Sequence, residues 1–201
     1  KNIRHALSKI TSKFYTLKPK NIIAVTGTNG KTSVADFFYQ ILNINNISVS
    51  SIGTLGIKFN KKIIKTDLTS PDTINLHKYL EKLKKNNINN VIIEASSHGL
   101  DQNRLDHINF KAAIFTNFSQ DHLDYHKTMK SYLNAKLSLF SKILQKRRYV
   151  ISDKLNKEFS ILKKISKKKQ FKLIDIRKNI NQTKYIPKFL PGDFQKKNLS
   201  M

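Results

Sequence analysis

The fold is decided by the stretch Ile22-Ile23-Ala24-Val25-Thr26-Gly27-Thr28-Asn29-Gly30-Lys31-Thr32-Ser33. Its first five residues are β-branched but for Ala24 and end at a glycine, which reads as a buried strand. From Ser33 to Ile44 the spacing changes. Val34, Phe37, Phe38, Ile41 and Leu42 fall on one face of a helix. Between the strand and the helix lie Gly27, Thr28, Asn29, Gly30, Lys31 and Thr32. This is the setting of a phosphate-binding loop. Backbone N–H groups and a helix N-terminus face an anion, Lys31 reaches the β- and γ-phosphates, and Thr32 offers an oxygen to Mg2+. The longer pattern G-x-x-x-x-G-K-[ST] is not met, because Val25 stands at its first glycine.

Outward from this stretch, strands and helices alternate. Val91–Ala95, Ala112–Asn117 and Tyr149–Ser152 read as further strands. Pro71-Asp72-Thr73 opens a helix that runs to Lys85 and carries Leu76, Tyr79, Leu80 and Leu83. Thr128–Ser141 reads as a helix with Tyr132, Leu133, Leu137 and Phe140 inward. Val49–Lys65 reads as a strand and hairpin turning at Asn60-Lys61, and residues 1–18 as a lead-in helix. After Ser152 come a Lys-rich helix and an irregular, strand-rich tail. The order implies an α/β fold with a mostly parallel sheet flanked by helices. Ligands of such sheets sit at the carboxyl ends of the strands.

The chain has 201 residues, the size of one domain. Absence of cysteine excludes a disulfide framework, a thiolate zinc site and a thiol nucleophile. No apolar run approaches the ~20 residues of a membrane span. The N-terminal residues lack the apolar core of a secretory signal, so the cytoplasm is the expected compartment and no membrane partner is expected. A net charge of +25 suggests nucleic-acid binding. Yet only 5 of the 38 basic residues are Arg, and Lys, Asn and Ile together make 78 of the 201. All three have A/T-rich codons, so coding bias accounts for much of the lysine and no nucleic-acid partner is expected.

Each remaining motif follows a strand. Glu94 stands near the end of the second buried strand, where a carboxylate needs an ion pair or a metal. Ser96-Ser97-His98-Gly99-Leu100-Asp101-Gln102-Asn103-Arg104 comes next. A hydrolase triad is a poor reading, since no G-x-S-x-G elbow carries the serine. Gln102 and Arg104 suit an anionic substrate, Arg offering a two-pronged donor. Asp121-His122-Leu123-Asp124-Tyr125-His126 reads either as a metal cluster or as a polar loop with a capping Asp. Lys136 lies one step from Leu137 on the helix, a position where lysine usually snorkels.

Together these segments resemble the Mur ligases, ATP-dependent amide-forming enzymes of peptidoglycan synthesis. Within that family they resemble the tripeptide-synthetase (MurE) type. The matching stretches are VTGTNGKTSV, SIGTLGI, LTSPDT, IEASSHGLDQNRLD, FTNFSQDHLDYHKTM and NAKLSLF, in family order from about residue 20 to 140. The tail PGDFQKKNLSM resembles the point where the central domain turns back before its last helices. The resemblance implies that residues 1–20 are a lead-in from a preceding domain. Residues 21–201 would be the central ATP-binding domain, incomplete at its C-terminus, with the C-terminal ligase domain absent and the fragment alone inactive. It implies ATP and Mg2+ as cofactors. The substrates would be UDP-MurNAc-L-Ala-D-Glu and a diamino acid, meso-diaminopimelate or lysine, joined through an acyl phosphate by a monomer. It places Gly27, Thr28, Asn29, Gly30, Lys31, Thr32 and Ser33 on ATP. It places Thr32, Glu94, His122 and Lys136 on metal, with Lys31, Lys136 and His122 catalytic and Lys136 carbamylated. It places Thr69, Ser70, Ser96, Gln102 and Arg104 on the dipeptide substrate. Two alternatives remain open: a folylpolyglutamate-type ligase, and a nucleotide-binding fragment without catalysis.

Overall fold

The computed structural model describes residues 2–177 and 192–201. In chain order the elements are α1 (Ile3–Phe14), β1 (Asn21–Thr26), α2 (Lys31–Ile44), β2 (Val49–Gly53), β3 (Gly56–Phe59), β4 (Lys62–Ile64), α3 (Thr73–Lys85) and β5 (Asn90–Glu94). They continue with α4 (Ser97–Asp101), β6 (Ala112–Phe115), α5 (Leu123–His126), α6 (Met129–Ser138), β7 (Tyr149–Ser152), α7 (Phe159–Lys169), β8 (Lys172–Asp175) and α8 (Asp193–Leu199).

The strands form one sheet in the order β4-β3-β2-β5-β1-β6-β7-β8. All neighbours are parallel except β2–β3 and β3–β4, the two antiparallel pairs of the hairpin region. This is the mostly parallel α/β sheet that the alternating pattern predicts. The near-continuous apolar runs reflect burial on both faces. Side chains alternate along each strand. On β1, Ile22 and Ala24 join the larger core with Leu76, Leu80, Phe110 and Phe140, while Val25 joins Val34 and Ala35 on the opposite face. The same split places Val91 and Ile93 on one side and Ile92 on the other.

Three local details differ from the sequence expectation. Ile41, placed inward by helical spacing, is exposed, because α2 buries only Val34 and Ala35 fully. Asp72 is the cap of α3 rather than part of it: its carboxylate accepts from Ile74 N and Asn75 N, each at 3.0 Å. The regular part of α6 stops at Ser138 and widens into a π-helical turn, Leu139–Ile143, closed by Leu144 N donating to Leu139 O at 2.8 Å. The tail expected to be strand-rich is only partly described. β8 is its strand and α8 is helical, with the intervening part outside the described residues.

Candidate phosphate and substrate site

The chain reverses its winding direction at β1. From β1 it moves out to β2 and returns through β5, then crosses to β6 and continues outward to β8. A crevice at the carboxyl ends of β1 and β6 is the place where such sheets bind ligands. Residues 27–30 lie there, braced by the end of β6. Thr28 N donates to Asn117 O at 3.0 Å, and Asn29 N donates to the Asn117 side chain at 2.9 Å. The Asn117 amide and the Thr116 hydroxyl both donate to Asn29 O, at 3.1 and 2.6 Å. Gly27 must be glycine: a Cβ there would stand 1.9 Å from the Thr116 hydroxyl, at a φ of +147°.

Two of the loop amides are thus committed to Asn117. The amides of Lys31, Thr32 and Ser33 open α2 and have no acceptor within the helix, whose first bond is Val34 N to Gly30 O at 2.9 Å. Anion-binding capacity therefore lies at the helix start rather than along the whole loop. Lys31 lies back over the loop, donating to Gly27 O at 3.0 Å and Thr28 O at 2.7 Å. Lys136 donates to the same Gly27 O at 2.6 Å. Lys136 is 1% exposed, so it does not snorkel. Burial, reinforced by the Lys31 charge, lowers its pKa from 10.5 to about 7. Burial also lowers that of Lys31, against the opposing pull of Glu94 and Asp121. Two crowded, desolvated ammonium groups under an open helix start favour an incoming anion.

Glu94 is 1% exposed, and burial raises its pKa. It accepts from the Thr32 hydroxyl at 2.9 Å, from Thr54 N at 2.9 Å and from the Thr54 hydroxyl at 3.2 Å. Gly53 makes room for it, since a Cβ there would lie 2.0 Å from Glu94 Oε1. Among the described residues Glu94 forms no close ion pair; its hydrogen-bond partners are threonines, and the Lys31 charge acts on it without direct contact. Thr32 and Glu94 offer adjacent hard oxygens of the kind Mg2+ takes beside a phosphate, so the donor chemistry fits that ion.

The residues assigned to the second substrate form a connected set. The Thr69 hydroxyl lies 3.2 Å from that of Thr54. The Ser70 hydroxyl donates to Glu94 O at 2.7 Å and lies 3.0 Å from the Ser96 hydroxyl, which caps α4 by accepting from Gly99 N at 3.0 Å. Arg104 donates to Ser70 O at 2.7 Å and to the Gln102 side chain at 3.1 Å. Gln102 in turn donates to the Tyr125 hydroxyl at 3.2 Å, and that hydroxyl donates to Asp101 at 2.9 Å.

His122 lies among aromatic rings. Its ring lies edge-on to His98 at 4.9 Å and to Tyr132 at 5.9 Å, and its backbone is left-handed at φ 52°. A non-glycine residue held there is a mark of a constrained segment. Burial and the neighbouring imidazoles keep the His98 and His126 pKa values below their ordinary range. Among the described residues, no three His, Asp or Glu side chains come together as a metal site.

The roles of several residues of the site were invisible to sequence reasoning. Thr54, Asn117, Tyr125 and Tyr132 lie in segments quoted above but were given no role in the site; their roles arise by tertiary contact. So does that of Asn198 of α8, which lies against Gly30 and, with Phe194, Asn29, Ser33 and Asn117, lines a cavity of about 430 Å³ beside the loop. A larger cavity of about 980 Å³, between α1 and α6, is lined by none of the residues assigned from sequence.

The fold and site define a phosphate-loop α/β domain, its loop clasped between β1 and β6 and faced by a buried carboxylate. Residues 25–200 match the Mur ligase middle domain, and the chain belongs to that family. The match runs through the lysine-rich tail, where the resemblance above rested on PGDFQKKNLSM alone. A curated relative from Rickettsia bellii, named UDP-N-acetylmuramoyl-L-alanyl-D-glutamate–2,6-diaminopimelate ligase, is 41% identical over 186 residues, which are 90% of this chain and 39% of the relative. A protein of the same name from Rhizobium meliloti is 45% identical over 143 residues, 71% of this chain and 29% of the relative. The chain therefore spans about two fifths or less of these relatives. A solved structure of a ligase with that name matches with a TM-score of 0.74 at 28% identity, over 87% of this chain and 36% of that one. The folylpolyglutamate synthetase of Helicobacter pylori matches with a TM-score of 0.66 at 15% identity, over 100% of this chain and 57% of that one, a likeness of fold alone.

Proposed function

We propose that this chain is the ATP-binding part of a ligase that joins 2,6-diaminopimelate to UDP-MurNAc-L-Ala-D-Glu. The observation that carries the proposal is the continuous chain of contacts from the phosphate loop to the dipeptide-side residues. It runs from Thr32 through Glu94 to Thr54, Ser70 and Ser96, and on to Arg104 and Gln102. A carboxylate held by Arg104 and the hydroxyls would lie beside phosphates held by Lys31, Lys136 and the start of α2. The names of the relatives at over 40% identity support this substrate pair over the folylpolyglutamate alternative, which matches in fold only.

The reaction brings two anions together, so neutralisation is the main task. The γ-phosphoryl group passes to an oxygen of the D-Glu γ-carboxylate, leaving ADP. The amine nitrogen then forms the amide bond as phosphate leaves and the amine loses a proton. Lys31 supplies positive charge on the phosphate side, as does Lys136 until it is carbamylated. Arg104, oriented by Ser70 O and Gln102, supplies it on the carboxylate side. Thr32 and Glu94 would hold Mg2+, which when bound would supply positive charge against the phosphates. His122 and a carbamylated Lys136 would serve a second ion. The neutral amine available to Lys136 near pH 7 is the form that adds CO2. The proposal includes action in the cytoplasm as a monomer, without nucleic-acid or membrane partners. It also assigns residues 1–20 to a lead-in and residues 21–201 to the ATP-binding domain.

The test has two stages. The chain is titrated with ATP and ADP, with and without Mg2+. It is then joined to the flanking domains of a curated relative, and phosphate release is followed with the muramyl dipeptide plus diaminopimelate or lysine. Binding by the chain and diaminopimelate-dependent release by the fusion are expected. A folded chain that binds neither nucleotide refutes the proposal.

A further inference from the structure

Tyr132 is fully buried on α6. A buried tyrosine needs a partner for its hydroxyl, since a phenylalanine would fill the same apolar space. Its partner is the Thr28 hydroxyl, 3.3 Å away and 104 positions earlier in the chain. The Thr28 hydroxyl donates its hydrogen to Ser119 O at 3.1 Å and accepts from Ser119 N at 3.0 Å. With that hydrogen committed, the tyrosine is the donor. One helical turn on, on the same face, the Lys136 ammonium lies 4.4 Å from the centre of the Tyr132 ring and donates to Gly27 O. The ring also packs against Phe118 at 5.2 Å and His126 at 5.2 Å, side chains of the segment that follows β6. One side chain thus touches the phosphate loop, the lysine beneath it and the His-rich segment beside it.

We propose that Tyr132 is a positioning residue for the phosphate loop: its hydroxyl fixes Thr28, and its ring face seats the Lys136 side chain on Gly27. This rests on reading residues 27–33 as a phosphate site. A tyrosine serving only to fill the core would be replaceable by phenylalanine without effect on the loop. The two parts of the side chain have separable duties, so two substitutions separate them. Tyr132→Phe keeps the ring and removes the hydroxyl. Tyr132→Leu removes the ring as well.

The experiment combines ADP titration calorimetry with NMR on the 201-residue chain, folding being checked by circular dichroism. Tyr132→Phe should weaken ADP binding about twofold to tenfold, the range of one neutral hydrogen bond. Thr28→Val should weaken it too, and the double variant should bind no worse than the weaker single one, because both changes break the same link. The Lys136 ε-methylene protons should be shifted upfield by the ring in the wild type and in Tyr132→Phe, and not in Tyr132→Leu. Unchanged ADP affinity in Tyr132→Phe, or additive losses in the double variant, would overturn the role of the hydroxyl. Unshifted Lys136 protons in the wild type would overturn the seat. A wild-type chain that binds no ADP removes the parent reading instead, and the NMR comparison still decides where Lys136 sits.

Discussion

Replacing Lys136 with methionine should change how stability responds to pH. The native pKa is about 7, against an ordinary 10.5, and burial is the main cause, followed by the Lys31 charge. Below pH 7 the amine is protonated in both folded and unfolded chains, and the full cost of burying the charge is felt. Between pH 7 and 10.5 the unfolded chain holds the proton and the folded chain does not, so stability rises with pH. Above 10.5 the cost is gone. The slope in that window approaches about 1.4 kcal/mol per pH unit. Raising the pH from 7 to 9 should therefore stabilise the wild type by about 2 kcal/mol relative to Lys136→Met. Methionine has similar length and does not titrate. Its removal of charge also relaxes Lys31, so about 2 kcal/mol is a ceiling. The assay is urea unfolding of both proteins at pH 7 and pH 9 in CO2-free buffer, where no carbamate forms. Groups common to both proteins cancel in the difference. The variant should be the more stable at pH 7, and its advantage should shrink at pH 9. Equal responses of the two proteins would refute the reasoning, since a lysine that titrates alike in both states has not been desolvated.

Other expectations follow from the site. Lys31→Ala should weaken ATP binding by the chain, while Arg104→Ala should leave it nearly unchanged; equal losses in a direct binding assay would dissolve the two-sided arrangement. Gly53→Ala should destabilise by roughly 1–3 kcal/mol, the usual cost of overpacking, because its methyl group would collide with Glu94 Oε1. Thermal unfolding reads that cost, and nucleotide titration should show weaker binding as Glu94 shifts away from Thr32. With labelled bicarbonate, Mg2+ and nucleotide, ¹³C NMR should show a carbamate signal in the wild type that is missing in Lys136→Arg; signals of equal size would assign the label elsewhere.

The elements were legible where local chemistry decides them. The β1 run, the loop glycines and the apolar spacings of α3 and α6 follow from side-chain period and turn chemistry, and they placed the sheet correctly. The burial of Lys136 was not legible. A lysine beside an apolar helix face is compatible with snorkelling, and its fate depends on what approaches from above. Here that is the Gly27 carbonyl, brought by a strand more than 100 positions away. Thr54 stood within the matching stretch SIGTLGI, but nothing local gives it a role until Glu94 arrives from the neighbouring strand. Ile41 shows the converse error. Its spacing is right for an inward face, but Ile41 is exposed while its neighbours Phe38 and Leu42 are half-buried.

The central place of β1 has a consequence for how the molecule is made. Its two neighbours are supplied late: the Asn21–Asn90 contact spans 69 positions, and the Thr26–Thr116 contact spans 90. During synthesis the phosphate loop leaves the ribosome before the residues that clasp it, which do not exist until β6 and Asn117 have followed. At ~5–20 residues per second, that is a wait of roughly 5–20 seconds. Until β5 and then β6 arrive, β1 is an apolar strand with unpaired edges, the kind of segment that pairs with the wrong partner or recruits a chaperone. The non-local pairing also makes the closing step slow for a domain of this size. Ligand-binding competence is thus acquired well after the sequence that announces it has been made, by the 90 positions that separate Thr26 from Thr116.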